Sequence, residues 1–204
     1  MSISVKVRIS TVWIFEQWIS FFKWWCLLLV LNNIIAIVAR FHKFWLTLSV
    51  GEGDALPALK QLTNNLGLNR YVVFNGTKAG EELDKVFDES DVAIGSLGFH
   101  RTGLKSGSPL KGREYCARGI PFVIGYDDQD FSESFPYILK IPPDESPVDI
   151  NKIVEWYEEL THSHPGYSTE MRKYAEEHLS WDAKMKPVIE KIKEIAEEKG
   201  KSRP

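Results

Sequence analysis

Cysteine is scarce in this chain. Cys26 and Cys116 are the only two in 204 residues, too few for a disulfide framework, and neither stands in a CxxC or Cys/His spacing. That excludes a stapled secreted scaffold and a zinc site, and a reducing cytoplasm is the default compartment. Basic charge is missing where a nucleic-acid binder needs it. The formal charge is −3, and residues 1–50 hold five Lys/Arg against one acid, which leaves 20 basic and 27 acidic residues beyond. A phosphate backbone is held by a concentrated basic stripe, so this mildly acidic body is expected to have no nucleic-acid partner.

A long unbroken apolar run is absent too. The greasiest stretch, Trp24 to Ala39 (WWCLLLVLNNIIAIVA), is interrupted by Asn32-Asn33, whereas a spanning helix wants about 20 apolar residues. Lys23 on one flank and Arg40 and Lys43 on the other give no clear asymmetry of positive charge. No small-residue cleavage site follows, as a signal peptide would require. Five of the seven tryptophans lie in the first fifty residues. Residues 1–45 therefore read as an apolar, Trp-rich N-terminal segment, either an incomplete piece or a part in peripheral contact with the inner face of a membrane.

What the chain does contain is regular from Leu46 onward. With 44% hydrophobic and 26% charged residues it suits a globular domain with a real core, placed here at 46–200. Strand-like runs at Leu46–Val50, Tyr71–Phe74, Asp91–Leu97, Pro121–Gly125 and Tyr137–Ile141 alternate with helical stripes. Asp54 is placed to cap a helix whose Leu56, Leu59, Leu62 and Leu66 share a face before Gly67 ends it; Leu83, Val86 and Phe87 mark a second helix. After Asp149 only helices are expected. Asp149 caps one carrying Ile150, Ile153, Val154, Tyr157 and Leu160, and Met171, Tyr174, Ala175 and Leu179 mark the next. Ser180 caps a last one with Trp181, Met185, Val188, Ile189, Ile192 and Ile195, all read as core-facing. Such alternation calls for an α/β, Rossmann-like parallel sheet with helices on both faces and a helical C-terminal tail.

In such sheets ligands bind beyond the carboxyl ends of the strands. The loop Gly98–Gly107 belongs there, followed by Ser108-Pro109 and a short helix that stops at Gly119. Proline in the first turn gives up an amide the helix would not have used, and the remaining free amides favour an anion such as a diphosphate. Lys111, Glu114 and Arg118, spaced by three and four, share a helix face, while Arg113 points elsewhere. On spacing alone these charges also fit a surface chain of salt bridges worth a few tenths of a kcal/mol per pair.

Taken in order, VGEGD, VVFNGT, SDVAIGSL and SPLKGREYCARGIP resemble the C-terminal domain of GT-B fold glycosyltransferases, family 4 (group 1) type, between about Leu46 and Val188. The resemblance implies a nucleotide-sugar donor site. Glu114 matches the glutamate that accepts hydrogen bonds from the ribose. Gly107, Ser108, Pro109 and Leu110 would lie against the diphosphate and sugar with Lys111 adding charge, and Phe74, Asn75 and Gly76 would border the base. It further implies transfer of a sugar to a saccharide or lipid-linked acceptor without a metal or other cofactor, as in polysaccharide biosynthesis.

Two departures qualify that expectation. Many members carry a second glutamate eight residues before the ribose-binding one, where this chain has Ser106. The acceptor-holding N-terminal domain has no counterpart in fifty residues, nor has the basic pair that neutralises the leaving diphosphate, for which Arg40 and Lys43 are stand-ins. A truncated, non-catalytic donor-binding module is therefore the alternative reading. Of the other polar groups, Asp128-Gln129-Asp130 reads as an acidic surface turn rather than a metal-binding DxD. His162 and His164 read as surface residues of a loop before Pro165, and Cys116 as packed on the sheet beside Gly112.

Overall fold

The computed structural model describes residues 8–12, 45–49 and 56–201, with side chains described over 56–198. The Trp24–Ala39 run, Arg40, Lys43, Asp54 and the VGEGD stretch lie outside the described residues.

Strands β1 (Arg8–Val12), β2 (Trp45–Ser49), β3 (Val72–Phe74), β4 (Val92–Ile94), β6 (Phe122–Ile124) and β8 (Ile138–Lys140) form a six-stranded sheet in the order β3-β2-β1-β4-β6-β8. Every pairing is parallel, with Ser10 opposite Thr47 on one side of β1 and opposite Ala93 on the other. The pieces β5 (Ser106–Gly107) and β7 (Asp127–Asp128) pair separately, also in parallel. Helices α1 (Leu56–Asn65), α2 (Glu81–Asp88) and α3 (Leu110–Arg118) connect the strands, and α4 (Ile150–Ser163), α5 (Tyr167–Tyr174) and α6 (Trp181–Lys201) follow the last one.

The period of two within β4 and β6 sorts the core into two layers. Val92, Ile94 and Val123 face one way and pack with Leu59 of α1 and Ile150, Ile153, Val154 and Tyr157 of α4. Ala93, Phe122 and Ile124 face the other way, against Phe87 of α2, Tyr115 and Cys116 of α3 and Met171 of α5. Both central strands are buried throughout, which is why they read as continuous apolar runs. The α/β, Rossmann-like architecture expected from the sequence is the one observed.

Strand order also fixes where a ligand belongs. From β1 the chain moves outward through β2 to β3, then returns past β1 and moves the opposite way through β4, β6 and β8. The reversal falls between β1 and β4, and in open parallel sheets the binding crevice lies beyond the carboxyl ends of the strands at that switch. The loop after β4 and the start of α3 are the described parts of that crevice.

Several expectations need correcting. Arg8–Val12 is a sheet strand that the apolar reading of the N-terminus passed over, because five residues of mixed polarity carry no periodic signal. The stripe on α6 is not core-facing: Trp181 is 80% exposed, Ile192 60% and Ile189 47%. Helical periodicity shows that a face exists but not that anything packs on it. His162 lies in the last turn of α4 rather than in a loop. Of the three predicted caps, the two among the described residues form: Asp149 accepts from the amides of Asn151 and Lys152, and Ser180 Oγ accepts from the amide of Ala183 at 3.2 Å.

Candidate functional site

The start of α3 is held from three sides. Ser106–Gly107, expected as loop, pairs with Asp127–Asp128, so the approach to the helix is a short strand. A Cβ at Gly107 would meet Phe99 at 2.7 Å, and Phe99 stacks on Tyr126 with ring centroids 4.3 Å apart, so glycine is required here by packing. Pro109 is the N-cap (φ −67°, ψ 144°) instead of the first helical residue, since its extended ψ precedes the turn. The N-cap residue makes no side-chain hydrogen bond to the helix, whose N-terminus carries a partial positive charge. Deeper in, Tyr115 is fully buried and donates its hydroxyl to the Ile94 carbonyl at 3.2 Å, tying α3 to β4. Gly119, at φ 72°, ends the helix in the left-handed conformation.

Arg113 does point away from the face shared by Glu114 and Arg118. It donates to the carbonyl and hydroxyl of Ser108 and to Asp130. Asp130 also accepts from Ser108 Oγ and Lys184 Nζ. Burial alone would raise its pKa. Hydrogen bonds from Lys184 and Ser108 and the charge of Arg113 outweigh that, and its carboxyl sits below the ordinary carboxylate range. Asp128 is 5% exposed and its pKa moves the opposite way, because burial dominates. The acidic turn is thus only partly a surface feature: Gln129 is exposed, Asp128 is buried, and the part-buried Asp130 ties α3 to α6. Among the described residues no group of three or more His, Cys, Asp and Glu is arranged to hold a metal ion.

The expected ribose ligand, Glu114, has a side chain 23% exposed. Its Oε1 lies 3.1 Å from Arg118 and accepts from Nε at 3.2 Å, while its Oε2 takes part in no hydrogen bond among the described residues. Arg118 in turn pairs with Asp84 of α2 at 2.8 Å and stands 3.9 Å over the Phe87 ring. Of the charges expected to form a salt-bridge chain, Glu114 and Arg118 pair, and Asp84 is the third member where Lys111 was expected; the chain consumes only one of the two oxygens of Glu114. The carboxylate is oriented by Arg118 and retains acceptor capacity, as a group that binds two hydroxyls needs.

The other expected contacts fall in two places. Gly107, Ser108, Pro109, Leu110 and Lys111 lie together at the start of α3, with Leu110 62% exposed and the Ser108 hydroxyl committed to Asp130 and Arg113. Phe74, Asn75 and Gly76 end β3, which β2 and β1 separate from β4. With strands about 4.8 Å apart, β3 and β4 are roughly 14 Å from each other across the sheet. Asp84–Arg118–Glu114 links α2 and α3. Gly76 takes the left-handed conformation, at φ 68°.

Sequence reasoning missed a cavity of about 230 Å³ beyond the ends of β4 and β8, lined among others by His100, Arg101, Glu145 and Lys152. Adjacent His and Arg on a loop carry no motif, and Glu145 joins them from far along the chain. Only the fold brings them together.

No protein-family model and no curated protein matches this chain. Solved structures do match in shape. HepE from Anabaena, in complex with UDP and glucose, superposes with a TM-score of 0.65 at 14% identity, over 93% of this chain and 48% of its own. Sucrose-phosphate synthase from Thermosynechococcus elongatus gives 0.60 at 16% identity, over 91% and 45%. The C-terminal domain of a group 1 glycosyl transferase from Francisella tularensis gives 0.50 at 14% identity, but there the match takes in 83% of this chain and 81% of that one. The chain has the fold of a GT-B glycosyltransferase C-terminal domain. It spans about half the length of the first two proteins, so this GT-B-type domain corresponds to one of their halves. No helix among the described residues is long and apolar enough to cross a membrane.

Proposed function

We infer that the chain binds a nucleotide-diphosphate sugar and serves as the donor-binding half of a glycosyltransferase acting on a saccharide or lipid-linked acceptor. One observation carries this reading. An uncapped helix N-terminus at the topological switch point stands on the same helix as a carboxylate, Glu114, that Arg118 orients through one oxygen and leaves open at the other. Helix amides and cations stabilise a diphosphate, and a carboxylate accepts from two ribose hydroxyls. In transfer, negative charge grows on the departing diphosphate, and amides already aimed at it lower the barrier without reorganisation. No metal enters this scheme, and the reaction is expected to survive chelation. The acceptor belongs to polysaccharide or lipid-linked synthesis, with the protein in the cytoplasm or against the inner membrane face.

Titration calorimetry with UDP, GDP and ADP and their sugars tests the reading. One base series is expected to bind, and Glu114→Ala is expected to abolish that binding while the fold melts as before. If no nucleotide binds the unaltered chain, the proposal fails. A second reading is a donor-binding module without transferase activity of its own. It differs in outcome: binding persists, but no sugar reaches any acceptor.

A further inference from the structure

Beyond the carboxyl ends of β4 and β8, the cavity opens between the turn Phe99–Thr102, the segment 142–147 and the first turn of α4. His100 and Arg101 form one wall and Lys152 another. Between them sits Glu145. Its Oε1 accepts from Arg101 Nε at 2.7 Å and lies 2.9 Å from His100 Nε2, while its Oε2 accepts from Arg101 Nη2. This is the forked, two-oxygen grip that a guanidinium makes on a carboxylate or a phosphate.

The two sides of the grip are unequal. The side chain of Arg101 is 15% exposed and that of His100 21%, fixed in the folded wall just after a buried strand, whereas Glu145 is 57% exposed on a segment whose residues 142–147 are all exposed. The donors are built in and the anion is brought from outside. The neighbouring carboxylates are engaged elsewhere: Asp144 accepts from the amide and hydroxyl of Ser146, and Asp149 caps α4. The ammonium of Lys152 makes no ion pair among the described residues, and Nδ1 of His100 is buried without a hydrogen-bond partner. With Glu145 in place the clamp is balanced; with Glu145 swung outward, three basic side chains face a cavity several times the volume of a water molecule.

We propose that this cavity is an oxyanion-binding subsite in which His100 and Arg101 grip a phosphate or carboxylate of a ligand, Lys152 adds charge at the rim, and Glu145 is the resident carboxylate that the ligand displaces. The subsite shares the loop after β4 with the switch-point crevice, but neither Gly107–Lys111 nor Glu114 lines the cavity, so the two can be tested apart. The clamp lowers the Glu145 pKa to about 2, through the hydrogen bonds of Arg101 first and His100 second, so the resident anion is charged at neutral pH and competes with any ligand. Affinity for an added anion is then the intrinsic affinity reduced by the fraction of molecules in which Glu145 has left.

Calorimetry on the full chain with inorganic phosphate and with glucuronate tests this, with glucose as the neutral control. Glu145→Gln is expected to raise affinity for the preferred anion about tenfold, by removing the competing charge from an exposed segment. Arg101→Met is expected to lower it at least as much, and Arg101→Lys, which keeps the charge but not the fork, to fall between. Preference for phosphate points to a phosphorylated ligand and preference for glucuronate to an acidic sugar; either supports the subsite. Glu114→Ala is expected to leave both anions bound as before, which separates this result from loss of nucleotide binding. Absence of anion binding by Glu145→Gln, or binding that Arg101→Lys in a folded protein does not weaken, overturns the proposal.

Discussion

Arg113 of α3 and Asp130, just past β7, form an ion pair in which the Asp130 side chain is only 9% exposed, and Lys184 of α6 closes on the same carboxylate from the other side. One acidic residue thus joins the start of the candidate binding helix to the C-terminal helix. A carboxylate buried with two cations is costly to remove, because it leaves both unpaired. Asp130→Asn is expected to destabilise the fold by about 2 kcal/mol at neutral pH, read from denaturant midpoints. The sign of the pH dependence follows from the lowered pKa of Asp130. The stabilisation is complete above the unfolded carboxylate pKa and is lost as pH falls through the folded value. The gap between the unaltered protein and Asp130→Asn should therefore close on acidification; a gap that widens contradicts the assignment.

Gly119 tests the packing of α3 on α5. A Cβ there would meet Ser168 Oγ at 2.3 Å and the Ser168 carbonyl oxygen at 2.5 Å, and the φ of 72° disfavours any L side chain. Gly119→Ala is expected to cost more than about 2 kcal/mol, combining backbone strain with a clash against main chain. Gly76 has a similar φ of 68° but nothing within 4 Å of its would-be Cβ. Gly76→Ala should cost only the conformational term of about 1 kcal/mol. Thermal melts of the two variants should differ clearly in midpoint.

Cys116 is a third case. It is fully buried and its Sγ–H donates to the Met171 carbonyl at 3.2 Å, and burial pushes the thiol pKa up to about 12. The thiolate, the reactive form, is then nearly absent at pH 8. In a Cys26→Ser background the folded protein should leave a disulfide reagent unconsumed at pH 8, and denaturant should release one equivalent of reaction. Prompt labelling of the folded chain would show that α3 does not pack on α5 as described.

A fourth prediction concerns Arg118, which lies between Asp84 and Glu114 and over Phe87. Arg118→Met removes two exposed or half-exposed pairs and one cation–π contact, a loss of about 1 kcal/mol in stability. Its larger effect should be on nucleotide affinity, because Glu114 loses the group that orients it. Affinity falling with little change in melting temperature fits a positioning role; equal affinity in both proteins argues that Glu114 is held by other means.

The sequence by itself determined the sheet-and-helix alternation, the buried face of α4 and the helix caps at Asp149 and Ser180. Each rests on short-range rules: a period of two in Val92–Ile94, a period near four in Ile150–Leu160, one acidic side chain reaching two amides at Asp149. It also pointed to the start of α3 through proline, glycine and spaced charges, and to Glu114 through the resemblance to GT-B glycosyltransferases. Only the tertiary structure decided that Asp130 is a buried tie rather than a surface acid, and that the α6 stripe around Trp181 and Ile192 is exposed. It alone set the strand of Arg8–Val12 beside β4 and brought Glu145 onto Arg101. Those outcomes depend on which distant surfaces meet, and chain periodicity carries no information about a partner that lies tens of residues away.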